Sequence, residues 1–187
     1  AVGMDALSIS TTASSNTAVG YNAARNTTTG SSNTATGFCS LRSNQDGESN
    51  TAVGRSALSA NTTADNNTSV GTCSLLSNTT GTANTAVGTK AMKFTTTGAD
   101  NVAVGYQALD SNNEGACNTA IGADALGANS IGNNNTAVGK NALLANTSAD
   151  GNTAVGHSAL LKNTTGTRNT ALGSCALCNA VDVAHNT

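Results

Sequence analysis

Proline and tryptophan are absent, aromatic residues make up 2% of the chain, and the charged residues are few and nearly balanced, 8 basic against 10 acidic. Each shortage excludes something. Without bulky aromatics, 187 residues cannot fill one conventional globular core, and Ala, Val, Gly, Asn and Thr must supply the packing. A formal charge of −2 without clustered Lys and Arg offers no footprint for nucleic acid or an anionic membrane. No apolar run approaches the roughly 20 residues that cross a bilayer, so no membrane insertion is expected. Disordered segments are usually rich in proline and net charge, and this chain has neither. No initiator Met, signal peptide or anchor is visible.

What is present is a repeat. The phrase Asn-Thr-Ala-Val-Gly returns every 17 residues with no insertion or deletion, and 11 × 17 gives the full 187. Counting its Asn as slot 1, slot 5 is Gly in every unit, from Gly3 and Gly20 to Gly156 and Gly173. Units this short cannot hold a helix pair, and β-branched residues between Gly and Asn favour short strands. The spacing predicts an all-β fold: a parallel β-solenoid, or β-roll, of eleven 17-residue coils forming a single repetitive domain over 1–187, part of a longer array or filament. At a strand spacing of about 4.8 Å, eleven coils make a rod roughly 53 Å long.

Within a coil, slots 2 to 4 (Thr17-Ala18-Val19 and equivalents) predict one strand, and Gly at slot 5 turns the chain. The Ala-Leu pair at slots 8 and 9 predicts a second strand, and Asn-Thr-Thr-Gly, as in Asn78-Thr79-Thr80-Gly81, a second corner. Slot 4 stays apolar except at Thr36, and slot 9 is Leu except at Ala24 and Met92. Val19, Val53, Val87 and Val138, with Leu58, Leu109 and Leu160, are therefore assigned to the core or to an interface. Slot 1 is Asn in every complete unit: Asn16, Asn33, Asn50, Asn67, Asn84, Asn101, Asn118, Asn135, Asn152 and Asn169. Such a column permits a ladder of side-chain amides from coil to coil, or simply shapes each turn. One Val, one Leu and two Ala per coil return less than the ordering of 17 residues costs, so further burial against other copies is expected. Neighbouring strand residues point to opposite faces, leaving one face for the coil and one for a partner.

The Asn-Thr-Ala-Val-Gly phrase, followed after two variable residues by Ala and Leu, resembles the Asn-Ser-Val-Ala-Ile-Gly phrase of the YadA-like head of trimeric autotransporter adhesins. The likeness runs through all eleven units, and related repeats occur in phage and viral tail fibres and cell-surface proteins. It implies a left-handed β-roll assembled as a homotrimer, with slot 4 residues such as Val53, Val87 and Val138 near the trimer axis. The present coil is longer, through its Asn-Thr-Thr-Gly corner, and shows neither heptad stalk nor membrane anchor.

Chemistry-bearing residues are scattered. Asn-X-Ser/Thr acceptors stand at Asn26, Asn61, Asn66, Asn78, Asn134, Asn146 and Asn163, and the four at slot 12, Asn61, Asn78, Asn146 and Asn163, are expected along one edge of the rod as sites for covalent glycans. Thr and Ser of the same corner are candidate O-linked sites. Cys39, Cys73 and Cys175 share slot 7, and coils two apart lie too far for Cys39 to bridge Cys73. Cys175-Ala176-Leu177-Cys178 spells C-x-x-C without a second pair or a thioredoxin-like context, and only His157 and His185 could join it around a metal. The odd Cys count leaves an interchain bridge open. No nucleophile, base and orienting group converge, so neither enzymatic activity, a cofactor nor a metal is expected.

The leading functional expectation is a structural one: an extracellular fibre or fibre-shaft subunit at a cell or virion surface, self-associating as a lateral trimer or head to tail, and glycosylated. An adhesin or tail-fibre head would instead bind surface carbohydrate through the variable slots 6, 7, 16 and 17. Thr columns at slots 2, 13 and 14 also have the composition of ice-binding solenoids, interrupted at Gln45-Asp46, Asn113-Glu114 and Val181-Asp182.

Overall fold

The computed structural model describes residues 1–186; Thr187, the end of the expected 1–187 domain, lies outside the described residues. The chain is a β-solenoid. Ten three-residue strands, β1 (Thr17–Val19), β2 (Thr34–Thr36), β3 (Thr51–Val53), β4 (Thr68–Val70), β5 (Thr85–Val87), β6 (Val102–Val104), β7 (Thr119–Ile121), β8 (Thr136–Val138), β9 (Thr153–Val155) and β10 (Thr170–Leu172), form one parallel sheet in sequence order. Pairing is in register throughout, mostly Thr on Thr and Ala on Ala, as in Thr17↔Thr34 and Ala18↔Ala35, with Ser69 and Val102 as exceptions. A bridge from Val2 to Val19 continues the sheet into the first coil.

The strand is short, but coil-to-coil hydrogen bonding goes all the way round. Amides at slots 5, 7 and 17 donate backward along the chain, as Gly20 to Val2, Asn22 to Met4 and Ser32 to Ser14. Those at slots 2, 9 and 11 donate forward, as Thr17 to Asn33, Ala24 to Ser40 and Asn26 to Arg42. At slots 13 to 15 three consecutive amides converge on one carbonyl, Thr28, Thr29 and Gly30 all donating to Gln45 at 3.0–3.2 Å. The backbone is thus satisfied by stacking, as an ordered chain with this little apolar bulk requires.

The expected second strand is not formed. Ala57-Leu58 and its equivalents lie in two consecutive turns, closed by Ala57 N–H to Gly54 O at 3.3 Å and Asn61 N–H to Leu58 O at 3.4 Å. Leu58 itself is left-handed at φ 52°, as are Leu41, Leu75 and Leu109. Ala and Leu lack the β-branching that favours extended backbone, and their apolar character records burial rather than strand. Residues at slots 7 and 17 are also left-handed, costing about 1 to 2 kcal/mol each for side chains with a Cβ, a strain held by the bonds on either side.

Slot 5 requires glycine for a second reason. Gly54 has φ 133°, and a Cβ built there would meet the carbonyl oxygen of Gly71 at 2.5 Å. The coils therefore touch backbone to backbone at this corner.

Candidate functional site

Each strand alternates, and the middle residue goes inward. Ala18, Ala35, Ala52, Ala86 and Ala103 are fully buried, joined inside the coil by the slot 8 Ala and slot 9 Leu columns that include Leu58, Leu109 and Leu160. Slot 4 faces out. Val19, Val53 and Val87 keep about two-fifths of their surface in solvent, and Val138 is half-buried. The assignment of slots 4 and 9 to a common group thus separates into an inner column of Leu and an outer column of Val. Slot 2 shares the outer face, and among the described residues none of its Thr hydroxyls is engaged in a hydrogen bond. The result is a ten-stranded face, mostly of Thr and Val in register, with no charged side chain in either column.

The interior has a second half made of amides. The slot 1 Asn are buried from Asn33 to Asn169, and each side-chain oxygen accepts the backbone N–H of the next Asn: Asn33 N–H to Asn16 Oδ1 at 2.8 Å, Asn50 to Asn33 at 2.9 Å, Asn118 to Asn101 at 2.9 Å. Direct amide-to-amide contacts accompany this from Asn101 onward, with Asn101 Nδ2 donating to Asn84 Oδ1 at 3.1 Å and Asn118 Nδ2 to Asn101 Oδ1 at 3.1 Å. The ladder is therefore mainly side chain to backbone. Each Nδ2 also crosses its own coil to the slot 15 carbonyl, as Asn50 to Ala64 at 2.8 Å.

Slot 12 corrects an expectation. Asn61, Asn78, Asn146 and Asn163 do not stand on an edge; they are fully buried, together with Asn44, Asn112 and Asn129. Asn61 Nδ2 donates to Asn44 Oδ1 at 2.8 Å and to Ala64 O at 3.0 Å, so Ala64 O receives both interior Asn of its coil. Gly47 O is held in the same way by Asn33 and Asn44, and Gly115 O by Asn101 and Asn112. An amide so enclosed cannot carry a glycan in the folded rod. Of the remaining acceptors, Asn66 and Asn134 are exposed and Asn26 is half-buried. This second lattice was missed in the sequence, where slot 12 reads as a string of glycosylation signals.

The Thr columns separate as well. Slot 13 hydroxyls are spent between coils, Thr62 Oγ1 donating to Thr79 O at 3.1 Å and Thr79 Oγ1 to Thr96 O at 3.2 Å. Slot 14 is exposed from coil to coil. Slot 6 holds an exposed stack, Tyr21 on Phe38 with centroids 5.3 Å apart.

Cys175 and Cys178 form a disulfide inside one turn, with Cα atoms 4.8 Å apart, while Cys39, Cys73 and Cys117 are free thiols. Among the described residues no three potential ligands gather around a metal position. Burial raises the Asp110 carboxyl above its ordinary pKa against the opposing pull of Gln107, Lys93 and Lys90, whereas hydrogen bonds from Thr164 and Thr165 lower that of the exposed Asp182. Among the described residues no helix is long and apolar enough to cross a membrane. No family model, curated protein or solved structure matches the chain.

Proposed function

We propose that the chain is a structural subunit of an extracellular fibre or fibre shaft at a cell or virion surface, in which copies associate laterally through the Thr–Val face and stack coil on coil. Three copies around that face, in left-handed coils, is the arrangement the YadA-like resemblance implies. The carrying observation is the face itself: ten in-register strands present outward apolar side chains such as Val53, Val87, Val104 and Ile121, uninterrupted by charge. An apolar strip of this kind, broken in slot 4 only by the uncharged Thr36, marks an interaction surface. Stacking is supported by the sameness of each step. Interior coils offer their neighbours the same slot 1 amide ladder and the same Gly-to-Gly approach. The disulfide supports an oxidising compartment, and exposed Asn66 and Asn134 are the N-glycan acceptors compatible with the folded rod.

Sedimentation and electron microscopy test this reading. Wild type is expected at three times its 18.2 kDa chain mass or as filaments of that unit. Charging the middle of the face with the double substitution Val87→Lys and Val104→Lys is expected to release monomers with an unchanged β-sheet spectrum, since both side chains already point outward. A wild-type chain that remains monomeric at its highest soluble concentration would overturn the proposal.

A further inference from the structure

Slot 17 covers one edge of the rod with a left-handed residue in successive coils: Ser32, Ser49, Asn66, Asn134 and Arg168 lie between φ 56° and 61°. Gly151, at φ 71°, is the one coil where that edge has no side chain. The gap between Asn134 on the preceding coil and Arg168 on the following one opens a shallow polar notch, completed by Asp150 and Thr167. Its floor is fixed by the ladder, Gly151 N–H to Asn133 O at 3.0 Å and Arg168 N–H to Asp150 O at 3.1 Å.

The groups in the notch are poised for a ligand with both charge and hydroxyls. Asp150 Oδ1 is oriented by the backbone N–H of Asn133 at 2.6 Å and its side-chain amide at 3.3 Å, and among the described residues Oδ2 accepts no hydrogen bond. Arg168 forms no ion pair among the described residues; its Nη1 lies 3.4 Å from His185 Nε2. A free guanidinium suits a carboxylate, which it can grip with two parallel N–H donors. A fixed carboxylate beside an amide and a hydroxyl suits ring hydroxyls.

We propose that this notch binds an acidic monosaccharide unit, a hexuronate, with its carboxylate on Arg168 and its hydroxyls on Asp150, Asn134 and Thr167. A compact anion such as phosphate would bring its charge against Asp150, whereas a hexuronate carries carboxylate and hydroxyls on opposite sides of its ring and meets both. A neutral hexose lacks the partner for Arg168. The site stands apart from the Thr–Val face and is independent of the fibre reading: assembly is read by sedimentation, and occupancy of the notch by ligand signals.

The experiment is saturation-transfer difference NMR on the intact protein, which works on monomers and filaments alike, using glucuronate, glucose and inorganic phosphate in separate competition arms. Glucuronate is expected to give saturable signals, with glucose roughly tenfold weaker, the loss of one charge-assisted contact. Gly151→Ser is the decisive variant. Serine already adopts this conformation at Ser32 and Ser49, and a Cβ on Gly151 meets only Arg168 Cγ at 3.6 Å, so the fold is kept while the notch is filled. Both G151S and R168Q are expected to weaken glucuronate binding by about tenfold or more, with unchanged circular dichroism. Glucuronate signals that are absent from wild type, that survive equally in G151S, or that phosphate competes away as well as glucuronate does, would each overturn the assignment.

Discussion

The two halves of the coil interior obey different rules. On one side Ala and Leu fill space; on the other Asn side chains hold carbonyls. The apolar half tolerates exchange: Met92 and Ala24 replace Leu at slot 9 and remain fully buried. When Ser69 and Ser74 together replace its Ala pair, they satisfy each other at 2.6 Å. The amide half is less forgiving. Where Thr27 and Thr95 replace Asn at slot 12, their hydroxyls are buried without a partner; Asn78 Oδ1, next to Thr95 in the column, is stranded too, as are Asn146 Oδ1 and Asn163 Oδ1 where the column runs on without Thr. Packing is non-directional and needs approximate volume, whereas a hydrogen-bond lattice needs a particular atom at a particular place. The Leu column makes the coil close; the Asn columns make successive coils close in the same register.

The sharpest way to break the amide half is Asn101→Asp. Asn101 Nδ2 donates to Gly115 O at 2.8 Å and to Asn84 Oδ1 at 3.1 Å, and a carboxylate oxygen there would face two acceptors inside a dry core. The expected loss is about 5 kcal/mol or more at neutral pH, measured by denaturant unfolding. Burial raises the pKa of such an acid in the folded state, so its penalty should shrink as the pH falls and the carboxyl takes up a proton. A variant as stable as wild type at neutral pH would show the lattice to be dispensable.

The apolar half is probed by Leu109, fully buried in the middle of its column. Leu109→Ala is expected to cost about 3 kcal/mol through lost burial and a cavity, and Leu109→Met less than about 1.5 kcal/mol, as Met92 occupies the equivalent slot one coil earlier. Thermal unfolding of both variants beside wild type checks the ratio. Equal costs for Ala and Met would deny the slot its tolerance.

This contrast also explains what was legible in the sequence. Strict 17-residue phase, glycine at slot 5 and the apolar columns are one-dimensional signals, and from them the coil, the parallel sheet and the inward Leu follow. Direction is harder. Ala18 and Val19 are both apolar, and period-2 alternation alone does not choose which enters the coil; in the structure Ala18 is buried and Val19 faces out. Slot 12 misled because Asn-Thr-Thr is at once a glycosylation signal, a turn former and a buried amide. Charge does not separate the two readings: slots 14 and 16, on the same corner, collect Asp46, Glu48, Asp65, Glu114 and Asp150, and slot 12 takes none, but neither does slot 13, whose side chains such as Gln45 and Thr147 are exposed. The Ala-Leu pair misled for the opposite reason, since its burial is real and its extended backbone is not.

The smallest effect, and the one that separates lattice from packing most finely, is a repair. Thr95 interrupts the slot 12 column between Asn78 and Asn112; Asn112 Nδ2 donates to Gly115 O at 2.8 Å but has no amide behind it, and Asn78 Oδ1 receives no donor. Thr95→Asn would restore the pattern of Asn44, Asn61 and Asn78, in which Asn61 donates to Asn44 and Asn78 to Asn61 at 2.8 and 3.1 Å. Two buried groups gain partners, and the expected gain is about 1 kcal/mol, a rise of a few degrees in the unfolding midpoint. The companion Thr95→Val removes the unpaired hydroxyl without restoring the lattice and leaves Asn78 Oδ1 stranded. If the lattice sets the stability of this half, Asn at residue 95 must exceed Val; if filling space alone matters there, as it does around Leu109, Val will match or exceed Asn.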